Sequence, residues 1–84
     1  MGKGADQVAD SLVQNGTQKR SLTIAGHRTS ISLEPAFWDG LKAAATARNQ
    51  SVAALVAEID EARTTALSSA IRVWLYERAQ TGLP

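Results

Sequence analysis

The sequence predicts a mainly α-helical protein that carries a short two-stranded β-ribbon and completes its core as an intertwined homodimer. Three observations carry this. The apolar period of the 84-residue chain switches from two residues to that of a helix near residue 34. The apolar fraction is 44% but the aromatic fraction only 5%, so alanine supplies much of it, and alanine packs helices closely while filling little volume. A chain this short buries little more than half of its unfolded surface, and without cysteine no disulfide can compensate. Idealised packing or oligomerisation is then the route to stability, and the alanine-rich composition fits a core completed by a second copy.

Each element has its own signal. Residues 1–18 read as a flexible N-terminal arm broken by Gly2, Gly4 and Gly16, although Val8, Leu12 and Val13 have a spacing that also allows a short helix. The domain proper runs over 19–84. Alternation of polar and apolar residues predicts strands over about 20–25 and 28–33, joined at Ala25-Gly26-His27, where Gly26 supplies a positive φ. The second strand puts Ile31 and Leu33 on one face and Arg28, Ser30 and Ser32 on the other. Pro35 opens a helix over about 35–48, with Phe37, Trp38, Leu41, Ala44 and Ala45 as its apolar stripe. Ser51 is a sound N-cap for a second helix over about 51–63, in which Val52, Leu55, Val56 and Ile59 form the buried face. A third helix over about 66–80 is capped by Thr64 or Thr65, with a start at Ser68 as the competing choice. Its stripe is Leu67, Ala70, Ile71, Trp74 and Leu75, and Arg78 suits its C-terminal dipole.

Several function classes find little support. The sequence shows no nucleophile with a spaced base, no glycine-rich phosphate loop and no cluster of metal ligands, so no catalytic residue, metal or cofactor is expected. His27 stands alone and reads as an ordinary turn residue. Glu58, Asp60 and Glu61 diverge around a helix and read as a solvated face. Trp38 and Trp74 sit at helical spacing from other apolar residues and read as core or dimer contacts. No run reaches the ~18 apolar residues of a membrane span, and no signal-peptide core is present, which together suggest a cytoplasmic protein. The net charge of +1 is not that of a strongly basic nucleic-acid binder, so the placement of the charges decides. Between residues 19 and 33 there are Lys19, Arg20 and Arg28 but no acid.

A lone strand pair leaves its edges open. Pairing with the same segment of a second copy satisfies an edge and buries Ile31 and Leu33 against helices from both copies. The order of elements also resembles the ribbon-helix-helix family of bacterial and phage DNA-binding proteins. The carriers are Arg28-Thr29-Ser30-Ile31-Ser32-Leu33, then Glu34-Pro35 opening one helix, then Asn49-Gln50-Ser51-Val52 opening another. The longer stretches RSLTIAGHRTSISLEPAFWDGLKAAA, SVAALVAEIDEAR and LSSAIRVWL look like a short bacterial subgroup with an extra C-terminal helix. A competing alignment matches Leu67-Ser68-Ser69-Ala70 to the family's second helix instead.

The resemblance implies a homodimeric transcriptional regulator that reads the major groove of duplex DNA with a β-ribbon. Carried over by position, Arg28, Ser30 and Ser32 contact bases. Arg28 is suited to guanine, and the small serines specify less. The resemblance also implies phosphate contact at the free backbone N–H groups near Ser51 and Val52, at the start of the second helix. Lys19 and Arg20, with Arg28, form an acid-free positive patch expected to contact phosphate, an ordinary solvated strand face being the competing reading. Capping is the competing role of the Ser51 hydroxyl. The alternative is a module of the same fold without DNA readout, binding a protein partner or a small anion.

Overall fold

The structure, a computed structural model, describes residues 16–81; the remainder of the N-terminal arm lies outside the described residues. Two strands, β1 (Gln18–Ile24) and β2 (His27–Leu33), precede three helices, α1 (Pro35–Ala47), α2 (Val52–Ala62) and α3 (Leu67–Thr81).

The strands are antiparallel neighbours in one two-stranded sheet. Ala25 and Gly26 join them with φ of 51° and 86°. Two consecutive left-handed residues make a type I′ turn, whose twist matches that of the flanking strands. Glycine adopts this conformation at no steric cost, whereas Ala25 holds it against its own Cβ. The register follows from the turn: Ile24 faces His27, Leu22 faces Thr29, Arg20 faces Ile31 and Gln18 faces Leu33. The ribbon is therefore closed within one chain. Ile31 and Leu33, whose burial the sequence assigned to helices of two copies, are 3% and 0% exposed within one.

Pro35 begins α1, where its missing N–H costs no hydrogen bond, and the Glu34 carbonyl accepts from the N–H groups of Phe37 and Trp38. The helix ends in a Schellman motif. Asn49 is left-handed at φ 56°, its N–H donates to the Thr46 carbonyl, and that of Gln50 donates to Ala45. Ser51 caps α2, its Oγ accepting from the Ala54 N–H at 3.0 Å. Neither Thr64 nor Thr65 caps α3. The helix opens at Leu67, and Ala66 stands at the preceding position with its carbonyl accepting from the Ala70 N–H. Thr65 instead directs its hydroxyl to the Ala66 carbonyl and accepts Arg63 Nη1 at its own carbonyl, so the threonines belong to the linker.

The core lies between the inner face of the ribbon and the three helices. Ile24, Ile31 and Leu33 come from the ribbon, Trp38, Leu41, Ala44 and Ala45 from α1, Leu55, Val56 and Ile59 from α2, and Ile71 from α3. Each of the larger side chains contributes about 1.5–3 kcal/mol by leaving water. Trp38 is the largest fully buried side chain, and its Nε1–H donates to the Gln18 carbonyl at 2.9 Å. That bond fixes the start of β1 against α1. Trp74 is half-buried, packed against the edge of this core.

Candidate nucleic-acid interface

With the inner face committed to the core, the outer face of the ribbon comprises the other cross-strand pairs: Lys19 with Ser32, Ser21 with Ser30, and Thr23 with Arg28. All are exposed except Ser32, which is half-buried. Directly opposed side chains stand about 5 Å apart at Cβ, so the six form one compact polar strip. Arg28 Nη1 donates to Thr23 Oγ1 at 3.4 Å, and the Ser21 and Ser30 hydroxyls lie 3.5 Å apart. Both contacts are long and exposed, and exchange readily for others.

The sequence-predicted residues divide in three. Arg28, Ser30 and Ser32 share the outer strip, and Lys19 joins them there rather than lying beside it. Arg20 lies on the opposite face. It pairs with buried Ile31, its guanidinium sits 5.0 Å from the centre of the Trp38 ring, and Nη2 donates to Gln18 Oε1 at 3.2 Å. Neighbouring strand residues point to opposite faces, so Lys19 and Arg20 cannot act on one surface together. Ser51 and Val52 lie at the start of α2. The Ser51 Oγ is occupied as the cap, while its hydroxyl proton and the first N–H groups of the helix remain available to an anion. Glu58 tempers that site: its carboxylate accepts from Gln50 Nε2 and, at 3.1 Å, from Arg48 Nη2.

Ser21 and Thr23 are members of the strip that the sequence reading missed. They become visible only when the strands are paired, and the two-residue loop at Ala25-Gly26 was the signal that fixes the pairing.

Electrostatics separates the ribbon from the helical body. Residues 18–33 hold Lys19, Arg20 and Arg28 with no acid, whereas acids outnumber bases over the rest of the chain. In the body, Arg48 pairs with Glu58 at 3.1 Å, Arg63 with Asp60 at 2.6 Å and Arg72 with Glu34 at 2.9 Å. Arg48 and Arg78 also flank the Trp74 ring, and Arg72 the Phe37 ring. Such exposed pairs stabilise little but neutralise charge. Among the described residues Arg28 is the arginine with neither an acid nor a ring as partner. The hydrogen bond from Arg72 holds the Glu34 carboxyl below its ordinary range, assisted by the backbone N–H of Glu34. His27 is exposed beside the turn, and no cluster of His, Cys, Asp or Glu suited to a metal occurs among the described residues. No described helix is long and apolar enough to cross a membrane.

The chain thus presents a polar two-stranded ribbon mounted on three helices. Residues 17–79 match the family model of the ribbon-helix-helix domain. The chain belongs to the ribbon-helix-helix family, whose domains are generally DNA-binding regulators and typically form dimers. The matched span includes nearly all of α3, so the third helix belongs to this family's unit. No curated protein and no solved structure matches the chain.

Proposed function

We propose that this protein is a homodimeric, cytoplasmic transcriptional regulator that inserts the outer strip of its β-ribbon into the major groove of duplex DNA. The observation that carries the reading is Arg28: an arginine uncommitted to any acid or ring, at the turn end of an exposed, acid-free face. A two-stranded ribbon suits the ~12 Å width of the groove, and a guanidinium there can donate two hydrogen bonds to guanine. Ser30 and Ser32 accept or donate and so discriminate weakly. Lys19, at the far end of the strip from Arg28, supports contact with phosphate. The N–H groups at Val52, with the Ser51 hydroxyl, support a second phosphate contact. Arg20 is on the wrong face for base readout, and its reading as a phosphate contact rests on its exposure at the ribbon's flank.

The test is fluorescence anisotropy with duplex DNA across a salt series. Wild-type affinity should fall steeply as salt rises, because each neutralised phosphate releases counterions. At a selected preferred sequence, Arg28→Ala should weaken binding by about 10- to 100-fold and relax the choice of base, the loss of one bidentate contact worth ~1–3 kcal/mol. Arg20→Ala should weaken binding much less. An Arg28→Ala protein that keeps full affinity and selectivity sinks the assignment of that residue.

The two serines favour one other reading, an interaction or small-anion-binding module of the same fold. Folded wild-type protein with no affinity for DNA even at low salt would select it.

A further inference from the structure

Val73 and Tyr76 are the large apolar side chains that the described surface leaves exposed, at 54% and 63%. Both border one groove of about 690 Å³ between α1 and α3. Its α1 wall is built from Ala36, Gly40 and Ala43, residues too small to fill the space between the helices. A Cβ at Gly40 would touch the Leu75 side chain at 3.7 Å, so the helices meet there and give the groove a floor. The face thus carries a ridge of large residues beside a slot of small ones. Its volume falls within the ~300–1,000 Å³ of small-molecule sites, which are mostly apolar with a few placed polar groups.

The charged groups here are two guanidiniums. Among the described residues that line the groove, Arg72 and Arg78 carry charge and none is an acid. Arg72 is already neutralised by Glu34 at 2.9 Å. Arg78 has no ion pair among the described residues. Its guanidinium lies 5.5 Å from the centre of the Trp74 ring, and its Nη2 is buried without a hydrogen-bond partner. A buried donor left unpaired costs free energy, and a ligand oxygen that accepts from it recovers that cost. Arg78 is half-buried as a whole, so a modest turn of its side chain presents Nη2 to the groove it lines.

We infer that the groove binds a small amphipathic carboxylate, whose head accepts from Arg78 while its apolar body lies in the slot between α1 and the ridge of Val73 and Tyr76. Arginine can hold a carboxylate through two parallel N–H···O bonds. A head without a body would leave the slot wet, and a neutral body would leave Nη2 unpaired, so the site calls for both in one molecule. Asp39 is exposed one helical turn from Ala36 and Ala43, outside the lining, and opposes an anion only through solvent. The groove lies on the helical body, so the inference stands apart from the reading of the ribbon as a DNA reader.

Isothermal titration calorimetry of the full chain with octanoate tests this, with acetate and octan-1-ol as controls. Octanoate should bind once per chain with a dissociation constant on the order of 0.1 mM, ordinary for a ligand of its size. Acetate and octan-1-ol, each lacking one half of the ligand, should bind about tenfold more weakly or not at all. Arg78→Gln should weaken octanoate about tenfold, the loss of a charge-assisted hydrogen bond, and leave octan-1-ol unchanged. Ala43→Phe, at an exposed position, should fill the slot and abolish binding with an unchanged helical circular dichroism spectrum. Asp39→Asn should strengthen binding slightly. In nuclear magnetic resonance spectra the amides of Gly40 and Tyr76 should shift on titration while that of Ser30, on the ribbon, stays in place. Octanoate binding that Arg78→Gln or Ala43→Phe leaves intact overturns the assignment, as does a chain that binds no octanoate. Gly40 and Tyr76 signals that move with protein concentration alone, and not with octanoate, place another chain in the groove and overturn it too.

Discussion

Arg20 and Arg28 lie on the same ribbon and face different worlds. Arg20 shares the inner face with Leu22, Ile24, Ile31 and Leu33, lies over the Trp38 ring and donates to the Gln18 amide. Arg28 shares the outer face with Lys19, Ser21, Thr23, Ser30 and Ser32, and its one contact is a 3.4 Å bond to Thr23. The difference teaches how so small a domain separates stability from recognition. The two-residue period of a strand gives every position to one face or the other. The inner residues are fixed by packing, and the outer ones are released from it. Substitutions on the two faces should therefore fail in different assays.

Trp38→Ala is the severest way to break the inner face. It removes the largest fully buried side chain and the N–H that fixes Gln18. The expected cost is about 3–5 kcal/mol, much of the stability of a domain this size. In urea unfolding followed by circular dichroism the variant should be largely unfolded before denaturant is added. Ser30→Ala, on the outer face, should shift the midpoint by less than ~0.5 kcal/mol. Equal losses from the two variants would show that the faces are not divided in this way.

Ala25→Gly sharpens the comparison through the turn that sets the register. A register slip of one residue would exchange the two faces entirely. Ala25 holds φ at 51°, a conformation that costs a Cβ-bearing residue roughly 1–2 kcal/mol. Glycine removes that strain but adds freedom to the unfolded chain, at a cost of roughly 0.5–1 kcal/mol. The net expectation is a gain of about 0.5–1 kcal/mol in urea unfolding, with DNA affinity unchanged. A loss of stability would mean that Ala25 is not left-handed in solution.

Much of this was legible in the chain because local chemistry carried it. Pro35 and Ser51 mark helix starts by what their own atoms can and cannot bond, and the alternation through Ile31 and Leu33 places Arg28, Ser30 and Ser32 together. Arg20 was misplaced beside Lys19 although the parity of Leu22 and Ile24 already put it on the inner face. Charge clustering along a strand says nothing of face, because neighbouring residues point to opposite sides. Other features depend on distant contacts that no local pattern encodes. Trp38 reaches back twenty residues to Gln18. The Thr64-Thr65 pair resembles a cap but is held in the linker by Arg63. The ridge of Val73 and Tyr76 falls outside the apolar stripe of α3, so periodicity gave it no role.

The smallest effect concerns the residue that follows the inner face into α1. Glu34 pairs with Arg72 of α3 at 2.9 Å, which holds its carboxyl below the ordinary value of 4.5. A carboxylate whose folded-state pKa is lowered adds stability that is complete above its unfolded value and is lost as pH falls through the lowered one. Both partners are partly exposed, at 32% and 41%, so water screens the pair and the contribution is minor. Glu34→Gln should be slightly less stable than the wild type at neutral pH, and the gap should close as pH drops below about 4.5. Urea midpoints at a series of pH values measure it. A gap that stays constant from neutral to acid would show that the carboxylate charge contributes nothing and that Arg72 is held by the Phe37 ring alone. The outer strip of the ribbon, Lys19, Ser21, Thr23, Arg28, Ser30 and Ser32, holds no acid to titrate, so its charge should stay constant over the same interval.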